Sequence, residues 1–174
     1  ERGLCSRVFG RSAGGRKIRG AINSRYTYMK TEEQSKTGTL PVARVVQNRG
    51  TQILIVEDDT FLRNLITRRL LREGFIVEEA ANAKVGLDAA RKNMPHLILL
   101  DILLPDMNGF EMLEEMRKDA ALSAIPVIML SNLGQKEELE RARALGAKDF
   151  LVKAKYTPAE IVARIKDVLN KSYM

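Results

Sequence analysis

The sequence predicts an α/β fold: a doubly wound, five-stranded parallel sheet covered on both faces by five helices. Three observations carry this expectation. Short continuous apolar runs, Ile53–Val56 and Leu97–Leu100 among them, read as strands buried on both faces. Segments with apolar residues at helical spacing alternate with those runs from Gln52 onward, the pattern of a parallel sheet with right-handed crossovers. Finally, three of the runs end in charge: Ile53–Val56 runs into Glu57-Asp58-Asp59, Leu97–Leu100 into Asp101, and Phe150–Val152 into Lys153.

Taken in order, Ile53–Val56 is the first strand. A helix of about 60–73 follows, with Leu62, Leu65, Ile66 and Leu70 on one face and Gly74 just past its end. Asp59 is the best candidate to cap it. Phe75–Glu79 reads as the second strand, Asn82 caps a helix ending near Asn93, and Pro95 turns the chain into the third strand, Leu97–Leu100. A loop with Pro105 and Gly109 precedes a helix that turns Phe110, Leu113 and Met116 inward. Pro126–Leu130 is the fourth strand, Glu137–Leu145 lies in a helix stopped by Gly146, and Asp149–Val152 is the fifth strand. Thr157-Pro158-Ala159-Glu160 is a capping box with proline at the first helical position, and Ile161, Ile165, Val168 and Leu169 form the last apolar face. Met107, Met112, Met116 and Met129 read as core fillers, His96 as an exposed loop residue, and the charges from Lys136 to Arg143 as a solvated helix face.

The net charge of +7 is unevenly spread: residues 1–50 hold eleven Lys/Arg against three Glu, a local +8, which leaves −1 for residues 51–174. The first fifty residues are rich in Gly, Ser and Arg and lack periodicity, so they read as a disordered basic extension, with 51–174 as the folded domain. Met29-Lys30 is a reasonable initiation site, which would make residues 1–28 upstream sequence. The near-neutral domain argues against nucleic acid as its partner. A single cysteine, Cys5, fits a reducing compartment, and no run of about 18 apolar residues exists to span a membrane. A soluble cytoplasmic protein is expected.

In open parallel sheets the working site lies at the carboxyl ends of the strands, where these charges fall. A carboxylate in an apolar run costs several kcal/mol unless paired or used, so Asp101 demands a compensating partner or a chemical role. With Glu57 and Asp58 beside it, repulsion calls for a cation, and an all-oxygen donor set without His or Cys suits a hard divalent ion such as Mg2+. Lys153 supplies a second positive centre, Ser131 a hydroxyl donor, and Asp101 a nucleophile able to form an acyl phosphate.

Four segments, Ile-Leu-Ile-Val-Glu57-Asp58-Asp59, Leu-Ile-Leu-Leu-Asp101-Ile-Leu-Leu-Pro105-Asp106-Met-Asn-Gly109, Val-Ile-Met-Leu-Ser131-Asn and Gly146-Ala-Lys-Asp-Phe150-Leu-Val-Lys153, occur in order at matching spacing. Residues about 52–171 thereby resemble the receiver domain of bacterial two-component response regulators. The resemblance implies a flavodoxin-like strand order 2-1-3-4-5. It makes Asp101 the phosphoacceptor, with Mg2+ held by Glu57 through water, by Asp58 and Asp101 directly, and by the main-chain carbonyl of Leu103. Ser131 and Lys153 would hold phosphoryl oxygens, and Phe150 would be the aromatic switch that moves with Ser131. It further implies a sensor histidine kinase or phosphotransfer protein as phosphoryl donor. Output would come as a population shift of the face built from the fourth helix, fifth strand and fifth helix, read by a downstream protein. The domain would catalyse its own phosphorylation and slow dephosphorylation without being a turnover enzyme. With about three residues after the last helix, a stand-alone receiver is expected.

Departures from the pattern are specific. Ala154 follows Lys153 where the family usually has proline, so either a trans peptide with a relaid loop or a strained cis bond is expected. Leu103 and Leu133 stand two residues after Asp101 and Ser131, and neither can orient a water for in-line attack. A long-lived acyl phosphate follows.

Overall fold

The structure, a computed structural model, describes residues 50–173. The basic extension expected at 1–50 lies, apart from Gly50, outside the described residues, as does Cys5.

Five strands and five α-helices alternate along the chain: β1 (Gln52–Val56), α1 (Thr60–Arg72), β2 (Ile76–Ala80), α2 (Ala83–Asn93), β3 (Leu97–Asp101), α3 (Gly109–Lys118), β4 (Val127–Ser131), α4 (Lys136–Ala144), β5 (Asp149–Val152) and α5 (Pro158–Tyr173). All pairings are parallel and the order is β2-β1-β3-β4-β5, as the resemblance implied. Strand order reverses between β1 and β3, so the carboxyl ends of these two central strands open a crevice.

Side chains alternate across the central strands into two cores. Leu54, Val56, Ile98, Leu100, Val127 and Met129 face one way, packing with Phe110, Met112, Leu113 and Met116 of α3 and Leu87 of α2. Ile53, Ile55, Leu97, Leu99, Ile128, Leu130 and Leu151 face the other way, against Ile66 and Leu70 of α1 and the apolar stripe of α5. Each such Leu or Ile contributes roughly 1.5–3 kcal/mol by leaving water, which is why these runs contain so few polar residues.

Local signals place the element ends. Asp59 accepts from the N–H groups of Phe61 and Leu62, and Asn82 from that of Val85. Asn108 and Glu111 close a capping box on α3. Thr157 and Glu160 do so ahead of α5: the Thr157 N–H donates to the Glu160 carboxylate at 2.7 Å, and the Glu160 N–H donates to Thr157 Oγ1 at 3.3 Å. Gly146 ends the α4 turn at φ +74°.

Several boundaries differ from expectation. β2 begins at Ile76, with Phe75 buried ahead of it, while β3 and β4 each extend one residue further, to Asp101 and Ser131. The ladder thus carries polar residues that composition places in loops. Leu65, expected inward on α1, is exposed, because Ile66 and Leu70 already fill the contact with α5. Met112, Met116 and Met129 are fully buried and Met107 partly so, as expected of gap fillers. His96 is exposed but engaged: its Nδ1 accepts the Gln52 N–H at 3.1 Å and its carbonyl accepts the Tyr173 hydroxyl at 3.0 Å. The end of α5 is thereby tied to the amino-terminal edge of the sheet.

Candidate functional site

β1 and β3 are neighbours in register, Val56 opposite Leu100, so the residues that follow them, Glu57 and Asp101, emerge side by side at the carboxyl edge. β4 lies next, with Asp101 opposite Leu130, and β5 beyond it, with Ser131 opposite Val152. Register alone therefore brings Glu57, Asp58, Asp101, Ser131 and Lys153 to one edge from four strands.

Lys153 Nζ is 2.8 Å from Asp101 Oδ2 and 2.8 Å from Glu57 Oε2, bridging the two carboxylates. Glu57, Asp101 and Ser131 are the buried polar residues among those described, and the Lys153 side chain is only 13% exposed. Burial pushes Glu57 up to about 7; the Lys153 hydrogen bond offsets part of this and the Asp101 charge adds to it. Burial likewise raises Asp101 against the pull of Lys153. For Lys153 the desolvation that would favour the neutral amine is overcome by its hydrogen bonds to Asp101 and Glu57, so the ammonium is held above its ordinary value.

Carboxylate oxygens of Glu57, Asp58 and Asp101 lie within 4.8 Å of one another. Three carboxylates against one ammonium leave an excess of two negative charges when ionised, and Asp101 Oδ1 is buried without a hydrogen-bond partner. An orphaned buried oxygen in an all-oxygen cluster of this net charge fits a hard divalent cation.

The surrounding loops are held by contacts that periodicity does not reveal. Arg63, on the first turns of α1, donates to the Glu57 carbonyl at 2.5 Å and the Asp58 carbonyl at 3.2 Å, and pairs with Glu79 of β2 at 3.4 Å. Asp106 accepts the N–H groups of Ala83 and Lys84 at 2.9 and 3.0 Å, pinning the loop after β3 to the start of α2. Gly109 donates to the Ile102 carbonyl at 2.9 Å, and a Cβ there would stand 2.1 Å from the Asp101 carbonyl oxygen. The only available signals were an arginine three residues into a helix and the Pro105–Gly109 loop.

The peptide after Lys153 is trans, and Lys153–Lys155 forms a 3-10 turn: the relaid-loop alternative. Leu103 and Leu133 both stand out into solvent, 55% and 72% exposed, and Phe61 at the start of α1 is 73% exposed. Phe150 is half-buried against the α3 side of the sheet. Ser131 is not bonded to Asp101; its hydroxyl donates to Glu138 of α4 at 2.5 Å. The charged stretch 136–143 is thus not wholly a solvated face, since Glu138 reaches Ser131 and Arg141 pairs with Glu114 at 2.9 Å while lying 4.7 Å over the Phe110 ring.

The family model described as the response regulator receiver domain matches residues 53–166. The chain belongs to the response regulator receiver family. It is 34% identical over 127 residues to the probable transcriptional regulator ycf27 of Porphyra purpurea, covering 73% of this chain and 51% of that protein. It is 33% identical over 120 residues to the phosphate regulon transcriptional regulatory protein PhoB of Escherichia coli, covering 69% of this chain and 52% of that one. This receiver chain therefore spans about half the length of the curated relatives it matches. Among solved structures, a CheY-like response regulator receiver domain protein from Methanospirillum hungatei superposes with a TM-score of 0.65 at 33% identity, covering 70% of this chain and 95% of that one. Chemotaxis response regulator CheY4 of Vibrio cholerae gives 0.64 at 28% identity, with 68% and 98% covered. Receiver domains are phospho-accepting signalling modules that bind Mg2+ at an acidic cluster, and Glu57, Asp58 and Asp101 form a cluster able to hold a metal ion here. No helix among the described residues is long and apolar enough to cross a membrane.

Proposed function

We propose that this receiver accepts a phosphoryl group on Asp101 from the phosphohistidine of a sensor kinase or phosphotransfer protein, in a Mg2+-dependent reaction in the cytoplasm. An Asp101 carboxylate oxygen attacks phosphorus as the N–P bond breaks. The bonding electron pair returns to the donor imidazole, and the product is a mixed anhydride on the Asp101 side chain. The supporting observation is the Lys153 bridge: an ammonium 2.8 Å from the nucleophilic carboxylate stands ready to move its charge onto an incoming phosphoryl oxygen.

Glu57 (through water), Asp58, Asp101 and the Leu103 carbonyl would hold the metal. When bound, the divalent ion would neutralise the clustered carboxylates and the charge of the transferring group. Lys153 pairs with one phosphoryl oxygen and the Ser131 hydroxyl donates to another. Phe150 then shifts with Ser131 and alters the face of α4, β5 and α5, which a downstream protein reads. No basic patch for nucleic acid is needed in a domain whose net charge over 51–174 is −1.

Acetyl phosphate with Mg2+ should label the wild-type chain at Asp101. Chelating the metal or substituting Asp101→Asn should each abolish labelling. Labelling that survives both treatments refutes the assignment.

A further inference from the structure

Ser131 has one proton to donate, and that proton is already engaged. Its Oγ accepts the N–H groups of Leu133 at 3.2 Å and Gly134 at 2.9 Å, and its O–H donates to Glu138 Oε2 at 2.5 Å. A serine hydroxyl has one donor and two acceptor sites, so all three are filled. The residue is buried, and water therefore cannot take over whichever bond is given up.

We propose that Glu138 is a positioning residue that withholds the Ser131 hydroxyl from the phosphorylation pocket, so that Glu138 and the phosphoryl group compete for a single proton. This inference rests on the phosphoacceptor reading and adds to it a residue on α4 that sets its energetic threshold. Donation to a phosphoryl oxygen requires breaking a short, charge-assisted bond, which opposes the modified state. The same break frees the amino-terminal turn of α4. Gln135, at the N-cap of that helix, makes no side-chain capping bond, and the Ser131–Glu138 bond ties this first turn to the end of β4. Arg141 holds the helix further along through Glu114 and Phe110. Releasing Glu138 thus loosens one end of α4 while the other stays anchored, converting the loss of one hydrogen bond into a tilt of the helix.

The test is a double-mutant cycle read by beryllofluoride, a phosphoryl analogue, with Mg2+ on the full chain. Glu138→Ala should tighten beryllofluoride binding by about three- to tenfold, the scale of a charge-assisted hydrogen bond partly compensated elsewhere. Glu138→Gln, which keeps an acceptor and removes the charge, should tighten it less. In a Ser131→Ala background neither substitution should matter. A general effect of charge or helix stability would appear equally in both backgrounds, and that outcome overturns the proposal. So does a Glu138→Ala affinity equal to that of the unaltered chain when the native Ser131 is present. Amide exchange over residues 136–139 gives a second readout: it should rise on beryllofluoride binding, and in Glu138→Ala it should already be raised without ligand. Failure of the unaltered chain to bind beryllofluoride removes the phosphoacceptor reading and this inference together, whereas binding without coupling removes this inference alone.

Discussion

The Arg63 guanidinium donates to the main-chain carbonyl of Glu57 at 2.5 Å, so a residue on the outer helix shapes the acidic loop from behind. Its side chain is only 12% exposed and also pairs with Glu79, which makes it a strut between α1, β2 and the loop. Arg63→Ala should weaken Mg2+ affinity by about three- to tenfold, since a loosely held carboxylate pair loses preorganisation. Calorimetry would measure this. Arg63→Lys should recover little, because one ammonium cannot reproduce the fork that reaches two carbonyls and a carboxylate.

Stability of the metal-free chain should fall as pH rises from about 5 to 7.5. Glu57 is raised to about 7 from an ordinary 4.5, so within that window the folded chain holds a proton that the unfolded chain has released. Raising the pH removes that proton at the expense of the folded state, and the raised Asp101 acts in the same direction. The expected loss is on the order of 2 kcal/mol, read from urea midpoints at each pH. Mg2+ binds the ionised carboxylates, so it should abolish the decline, and its apparent affinity should climb with pH up to about 7. Glu57→Gln should flatten the metal-free profile. A profile that rises over this window would contradict the buried acidic cluster.

Gly109→Ala should be among the most damaging single substitutions in the domain. A methyl there would meet the Asp101 carbonyl oxygen at 2.1 Å, and main chain cannot step aside as a flexible side chain can. A loss of roughly 3 kcal/mol in urea unfolding is expected, at the upper end of overpacking effects. Labelling at Asp101 should fall as well, because the loop that returns Gly109 to Ile102 also carries Leu103.

The acyl phosphate should persist for minutes or longer. Leu103 and Leu133, two residues after Asp101 and Ser131, are exposed apolar side chains that cannot position an attacking water. Leu103→Asn should shorten the lifetime by about tenfold or more, measured as decay of the labelled chain after donor removal. Decay of the wild-type label within seconds, or no acceleration in the variant, would contradict this.

Most of the architecture was legible because burial imposes it. Runs such as Leu97–Leu100 must be strands covered on both sides, and caps such as Asn82 and Thr157 announce helices through the hydrogen bonds they complete. Strand order came from resemblance to a family, since local periodicity carries no information about which strands adjoin. Boundaries slipped where polar residues end a ladder, as at Asp101 and Ser131, because side-chain polarity says nothing of main-chain pairing. The site was legible in its charges and not in its supports. Glu57, Asp101 and Lys153 stand out against apolar neighbours, whereas Glu138, Arg63 and Asp106 are charges among many, and only the folded geometry separates a structural contact from a solvated one.

The clasp of Tyr173 on His96 has a topological consequence. α5 starts at the edge of the sheet that carries Lys153 and finishes at the far pole of the domain, beside the entry points of β1 and β3. Any segment joined beyond Tyr173 would set out from that pole, opposite the edge of the sheet that carries Asp101.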